Sequence, residues 1–212
     1  MESFFPGILE IDTKLKLFIQ TLDANPEIID FYDFNQKKFI WSIIINKNMD
    51  FYNAISKGYD GLYMEEQNIK LNIIKQNIKI KKSDFLLDVG CGTGLSSVFN
   101  CKVIGVDPSI ELLQQNNNNN KKILAKAENI PFKSNSFDKV ISVTSLHNFD
   151  NFKKGLKEIK RVGKKDFVFS VLKKSKKFNA IEKEIKENFD IKKIIDGKKD
   201  WIFICKGNFR KI

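Results

Sequence analysis

Phe85-Leu86-Leu87-Asp88-Val89-Gly90-Cys91-Gly92-Thr93-Gly94 decides how this chain folds. Five residues that read as a buried strand run straight into glycines at every second position. Without a Cβ, each glycine lets the backbone turn sharply and lets a ligand come close to it. A near-continuous apolar strand is the signature of a sheet covered on both faces, which is the parallel kind. In an open sheet of that kind ligands lie beyond the carboxyl ends of the strands, where these glycines fall. A short helix is expected next, its first N–H groups suited to an anion. A second strand, Lys102 to Val106, then ends at Asp107, 19 residues after Asp88. A carboxylate in that place can accept hydrogen bonds from both hydroxyls of a ribose.

The pattern continues outward in both directions. Upstream, Ile69, Leu71, Ile73, Ile74 and Ile78 form the apolar face of a helix over residues 65–78. Downstream, Ser109 to Gln115 reads as a helix and Asn116 to Asn120 as a polar loop with no assigned role. Strands are expected at Ile123–Ala127, Phe137–Val143 and Phe167–Leu172, with helical spacing at Phe152, Leu156 and Ile159 and again from Phe178 to Phe189. Ile191–Ile195 and Trp201–Cys205 close the chain around Asp196-Gly197. Strands alternating with helices imply an open, Rossmann-like α/β sheet, mostly parallel, with helices on both faces. The last pair must be antiparallel, because five residues cannot make a parallel crossover, which needs about a dozen. The core domain is expected over residues 49–212, with residues 1–48 an N-terminal extension.

Composition narrows the partners. The 212 residues carry a net charge of +11, with 35 Lys and only 2 Arg among the cations. Residues 1–150 are nearly balanced, with 17 basic and 18 acidic side chains, whereas residues 151–212 hold 20 against 8. The excess is therefore local, and a local basic excess suits an anionic partner such as RNA. Abundant Lys, Ile, Asn and Phe together would also follow from AT-rich coding, and scarce Arg argues against bidentate reading of bases. The longest near-apolar run, Phe39 to Ile45, is too short to span a membrane, and the first residues lack the pattern of a secretory signal. Cys91, Cys101 and Cys205 are odd in number and form no metal-binding spacing, so a reducing cytoplasm is expected and no metal site.

The glycines and Asp107 alone leave a dinucleotide site and an S-adenosylmethionine site both open. A dinucleotide fingerprint starting at Gly90 needs glycine or alanine at position 95, which is Leu95. Four segments in order, Leu87–Gly94, Gly105–Ser109, Ala127–Phe132 and Ser136–Ser142, resemble successive motifs of the class I S-adenosylmethionine-dependent methyltransferases, type 11 group. The resemblance covers about residues 50–206 and implies a seven-stranded sheet with an antiparallel last strand. By that resemblance Asp88 and the loop Gly90, Cys91, Gly92 and Gly94 hold the methionine part of the cofactor, with Cys91 a small spacer. Asp107 and Pro108 take the ribose, Ala127 and Glu128 border the adenine, Ser142 and Val143 flank the methionine end, and Tyr59 lies over the cofactor. Lys126 stands where relatives often have an acidic residue, and the turn after Arg161-Val162 is reduced to Gly163-Lys164-Lys165.

The activity implied is in-line transfer of a methyl group to an acceptor the sequence does not identify. His147, the single histidine, follows the fourth strand and is the candidate general base. Six lysines, Lys173, Lys174, Lys176, Lys177, Lys198 and Lys199, should share the cofactor edge and favour an anionic acceptor, RNA or a small metabolite. Two other readings stay open: a nucleotide-dependent oxidoreductase on the same fold, and a methyltransferase-like scaffold without catalysis.

Overall fold

A computed structural model describes residues 66–207, apart from 117 and 119, and the backbone of two short strands near the N-terminus. Those two, β1 (Asp30–Asp33) and β2 (Lys38–Trp41), pair antiparallel. They lie inside the segment read as an extension without motifs. The remaining elements are α1 (66–77), β3 (Phe85–Val89), β4 (Lys102–Asp107), α2 (Ile110–Gln115), β5 (Lys121–Leu124) and β6 (Phe137–Val143). After them come α3 (Phe152–Val162), β7 (Gly163–Leu172), α4 (Phe178–Asn188), β8 (Phe189–Gly197) and β9 (Asp200–Gly207).

Seven of the strands form one sheet in the order β5-β4-β3-β6-β7-β9-β8. β9 alone runs against its neighbours, pairing antiparallel with both β7 and β8. The fold expected from the alternating pattern is therefore the fold observed. Two residues, Lys198 and Lys199, join β8 to β9, and Lys198 takes the positive φ of 68° that such tight hairpins demand.

Strand parity sends side chains to two layers. Leu87, Val89, Ile104, Val140, Phe167 and Phe203 face α3 and α4, which answer with Leu156, Ile159, Ile181 and Ile185. Leu86, Val103, Ile141, Val168 and Ile202 face the other way, toward Ile74 of α1. Each such side chain removed from water contributes roughly 1.5–3 kcal/mol, so a few buried residues suffice to dock each helix.

Three expectations need correction. No helix follows the glycine loop: residues 91–100 form successive turns and an extended return. Only 12 residues separate β3 from β4, near the minimum for a parallel crossover, and the turns use most of them. β5 covers Lys121–Leu124, not 123–127, because the backbone ladder to β4 starts at Lys121↔Ile104 whatever the side chains are. Its lysines suit a sheet edge. Gly163-Lys164-Lys165 is no turn at all but the start of β7, with Gly163 paired to Phe137.

Candidate cofactor cleft

A cleft of about 810 Å³, counted with its open mouth, lies at the carboxyl ends of β3, β4 and β6. Gly90 and Gly92 form one wall, Asp107 and Pro108 another, and Ala127, Glu128 and Val143 the rest of the predicted lining. Gly90 has φ +77°, and a Cβ there would stand 2.4 Å from Cβ of Ser145, so glycine is required twice over. The loop is pinned to β4 by Gly90 and Cys91, whose N–H groups both donate to the Val106 carbonyl at 2.7 and 3.1 Å.

Asp107 is the electrostatic centre of this wall. One carboxylate oxygen accepts the Gly92 N–H at 2.9 Å and the other the Ser109 N–H at 2.8 Å. Burial pushes its pKa up to about 6, against those two N–H groups, and the neighbouring charge of Asp88 adds to the rise. Two oxygens offer about four lone-pair directions, so two remain for hydroxyl donors of a ligand. The residues present therefore fit an adenosyl group: bare glycine backbone, a carboxylate with spare acceptors, and apolar Val106, Leu112 and Ala125 beside it.

Four predicted residues do not reach the cleft. Asp88 shares the strand face of Leu86, so it points toward the turn above β3 and is fully buried. Its Oδ2 accepts from Ser96 and Ser97 Oγ, both at 2.6 Å, while Oδ1 has no partner among the described residues. Burial raises its pKa to about 6 in spite of the two hydroxyls. Cys91 packs over Gly105, whose missing Cβ would meet its Sγ at 2.5 Å. Gly94 lies against Asn116 and Asn118. Ser142 is buried behind Val143, its Oγ 2.6 Å from that of Ser145, which donates to the Val89 carbonyl at 2.9 Å. Tyr59 lies outside the described residues.

The lining holds further polar groups, among them Lys126, at the position where relatives often have an acidic residue. Lys126 and Asp150 both line the cleft and pair at 2.6 Å. Glu128 accepts the N–H of Asn151, the residue whose own side chain caps α3. Thr144 has φ +56°, a rare conformation for a β-branched residue, and it is held there from several sides. Its N–H donates to Ser170 Oγ at 2.9 Å and its Oγ1 to Asp200 at 2.9 Å, while Lys70 Nζ donates to Oγ1 at 2.8 Å.

Lys70 and Asp200 are both fully buried, with Nζ 3.1 Å from Oδ1 but out of hydrogen-bond alignment. Glu66 completes the group, 2.6 Å from Lys70 and 2.6 Å from Lys199. Burial works to raise the Glu66 pKa, but the two lysines outweigh it and hold the carboxyl below its usual range. The signal for Lys70 was its spacing: with Gln67, Leu71 and Ile74 it makes the buried stripe of α1, which an apolar count skips.

His147 sits on the single turn 146–148 after Thr144, outside the cleft lining. Burial lowers its pKa, Asp200 works against this, and Lys70 and Lys177 add to the lowering, so the imidazole is neutral near pH 7. Its Nδ1 is buried with no hydrogen-bond partner among the described residues.

Of the six lysines expected at this edge, three are engaged. Lys173 pairs with Asp196 at 2.6 Å and lies over the Trp201 ring, Lys177 donates to the Phe149 carbonyl at 3.0 Å, and Lys199 holds Glu66. Lys174, Lys176 and Lys198 are exposed. No described helix is long and apolar enough to cross a membrane.

Comparison with known proteins agrees with this geometry. Residues 87–171 match the family described as a methyltransferase domain. An uncharacterized protein of Methanocaldococcus jannaschii is 36% identical over 170 residues, 77% of this chain and 59% of its own length. A demethylmenaquinone methyltransferase of Corynebacterium glutamicum is 29% identical over 126 residues, 57% of this chain and 52% of its own. The chain thus spans somewhat over half the length of the curated relatives it matches. Among solved structures, a putative S-adenosylmethionine-dependent methyltransferase of Methanococcus maripaludis superposes with TM-score 0.63 at 15% identity, covering 81% of this chain and all of that one. One from Aquifex aeolicus gives 0.62 at 17% identity over 73% of this chain and 97% of that one, and at such identities the likeness is of fold. Residues 87–171 thus match a methyltransferase-domain family, on a sheet whose fold is similar to that of solved S-adenosylmethionine-dependent methyltransferases.

Proposed function

We propose that the chain transfers the sulfonium methyl group of S-adenosylmethionine to an anionic acceptor, RNA or a small metabolite, held at the sheet edge beside the cleft. The observation that carries the reading is Asp107, a carboxylate at the end of β4 with spare acceptor capacity, facing glycines that leave backbone bare. When bound, the cofactor supplies an already activated methyl group, so the reaction needs alignment and exclusion of water more than a catalytic dyad. Asp107 would accept the ribose hydroxyls. Gly90 and Gly92 would face the methionine side, and Ala127 and Glu128 the adenine, with Val143 beside the donor end. Asp88, Cys91, Gly94 and Ser142 support that wall from behind. An acceptor that arrives protonated needs a base, and the neutral His147, on the turn after Thr144, is the base proposed. Lys174, Lys176 and Lys198 give the edge its positive field.

Calorimetric titration with S-adenosylhomocysteine tests the cofactor, and a screen of RNA, protein and small-molecule fractions with labelled cofactor tests the acceptor. Tight NAD(H) binding with no S-adenosylhomocysteine binding would overturn the reading. Stable capture of another protein, without cofactor binding, would favour a scaffold.

A further inference from the structure

Three side chains of the asparagine run reach the glycine loop. Asn116 Nδ2 donates to the Gly92 carbonyl at 3.5 Å, Asn118 Nδ2 to the Gly94 carbonyl at 3.2 Å and Asn120 Nδ2 to the Ser97 carbonyl at 2.7 Å. The donors sit at alternate positions, as an extended strand presents alternate side chains to one side. Their partners run along the loop in the same order. The run also braces itself: the Asn118 N–H donates to Asn116 Oδ1 at 3.3 Å and the Asn120 N–H to Asn118 Oδ1 at 3.0 Å. Asn116 is 2% exposed and Lys122 Nζ donates to its carbonyl, so the first of the three is anchored from behind.

The loop needs an outside brace because no helix follows it. In a helix the residues after the glycines would satisfy one another's N–H and C=O groups through i to i−4 bonds. Here residues 91–97 make only two turn bonds, Gly94 N–H to Cys91 and Ser97 N–H to Gly94. The Gly94 carbonyl accepts the Ser97 N–H and keeps a second lone pair, whereas the carbonyls at 92 and 97 accept no backbone N–H within the loop, and buried backbone acceptors must find partners. The asparagines supply them. Gly94 shows how close the two segments run, since a Cβ there would stand 2.4 Å from side-chain atoms of both Asn116 and Asn118. Gly92 is held on both sides, by Asp107 through its N–H and by Asn116 through its carbonyl.

We infer that Asn116, Asn118 and Asn120 are positioning residues of the cofactor site, holding the glycine loop in its binding shape in place of the absent helix. They act through the loop and do not line the cleft. The inference rests on the S-adenosylmethionine reading. Apparent affinity falls by the fraction of molecules whose loop is competent, so loosening the loop weakens binding without removing any ligand contact.

The test uses the full chain and S-adenosylhomocysteine as probe. Replacing all three asparagines by alanine should raise Kd about 30-fold, and Asn118→Ala alone about threefold, in line with one neutral hydrogen bond to the loop each. Amide hydrogen exchange without ligand should quicken across residues 92–97. Ile185→Val, a core truncation on α4, is the control: it should lower the melting temperature and leave Kd unchanged. Should the triple variant not fold, Asn118→Ala carries the test. Kd within 1.5-fold of the parent in the folded variants overturns the inference while leaving the cofactor reading intact. No binding by the parent chain overturns both.

Discussion

Replacing Lys70 by Met removes a charge and little volume, which isolates what the buried cation does. In the parent chain Lys70 is fully buried against Glu66 at 2.6 Å, Thr144 Oγ1 at 2.8 Å and Asp200 at 3.1 Å. Met cannot answer Asp200, which stays at zero exposure with only the Thr144 and Ser170 hydroxyls donating to its Oδ2 at 2.9 and 2.7 Å. Removing one partner of a buried pair costs about 3–5 kcal/mol, and the two hydroxyls argue for the lower end. At ~2–4 °C per kcal/mol for a chain of this size, the melting temperature should fall by about 6–12 °C. Lys70→Met with Asp200→Asn removes both charges and should recover half or more of the loss, giving a coupling energy of about 2 kcal/mol in the double-mutant cycle. Urea unfolding at pH 7.5, followed by tryptophan fluorescence, measures all four corners. A single-variant loss below about 1 kcal/mol, or strictly additive variants, would refute the claim that this pair holds α1 to the sheet edge. Because Thr144 lines the cleft in a strained conformation held by this group, Lys70→Met should also weaken S-adenosylhomocysteine binding severalfold.

Further outcomes follow from the same structure. Asp88 and Asp107 both have folded pKa values raised to about 6, so the folded state binds more protons than the unfolded chain between about pH 4 and 6. Their contribution is fully present below the unfolded value and is lost as pH rises through 6, so the ligand-free protein should melt higher at pH 5 than at pH 7.5; a flat or opposite trend counts against the buried carboxylates. Cofactor affinity should move the other way, falling as pH drops below about 6, because ribose hydroxyls need the ionised Asp107 as acceptor; titration calorimetry at pH 5 and 7.5 checks it. Gly90→Ala forces a side chain at φ +77° into Ser145 and should cut S-adenosylhomocysteine affinity more than ~10-fold, with unchanged affinity showing that the loop does not meet the ligand. Lys174, Lys176 and Lys198 replaced together by Gln should weaken acceptor binding in a salt-dependent way and leave cofactor affinity alone. Deleting residues 1–48 should leave cofactor binding intact if the core domain begins at Met49, and insolubility of the remainder would place part of the domain upstream.

The sheet could be read from the chain because its signals are local. Buried strands such as Phe85–Val89 and Phe137–Val143 are apolar runs bounded by turn residues, and the short β8–β9 link leaves only one direction of pairing. The glycines and Asp107 were legible for the same reason, since a backbone that must stay bare and a carboxylate at a strand end each leave a mark at one position. Strand ends were less legible. Lys121, Lys122 and Gly163 join ladders through backbone groups that every residue carries.

Relations across the sheet could not be read from residue type. Lys70 looks like an exposed helix lysine until Asp200, 130 positions later, is brought beside it by the pairing of β9 with β7. Asp88 looks like a ligand residue until strand parity turns it away from the cleft and onto Ser96 and Ser97. The asparagine run looks like a filler loop until the parallel crossing of β3 and β4 lays it along the glycine carbonyls. The sequence by itself determined the layers, the strand directions and the place of the candidate cleft, because patterning and turn chemistry act within a few residues. Only the tertiary structure decided which polar groups touch, because a buried charge or amide is satisfied by whatever the sheet order brings within 3 Å, and sheet order joins positions far apart in the chain.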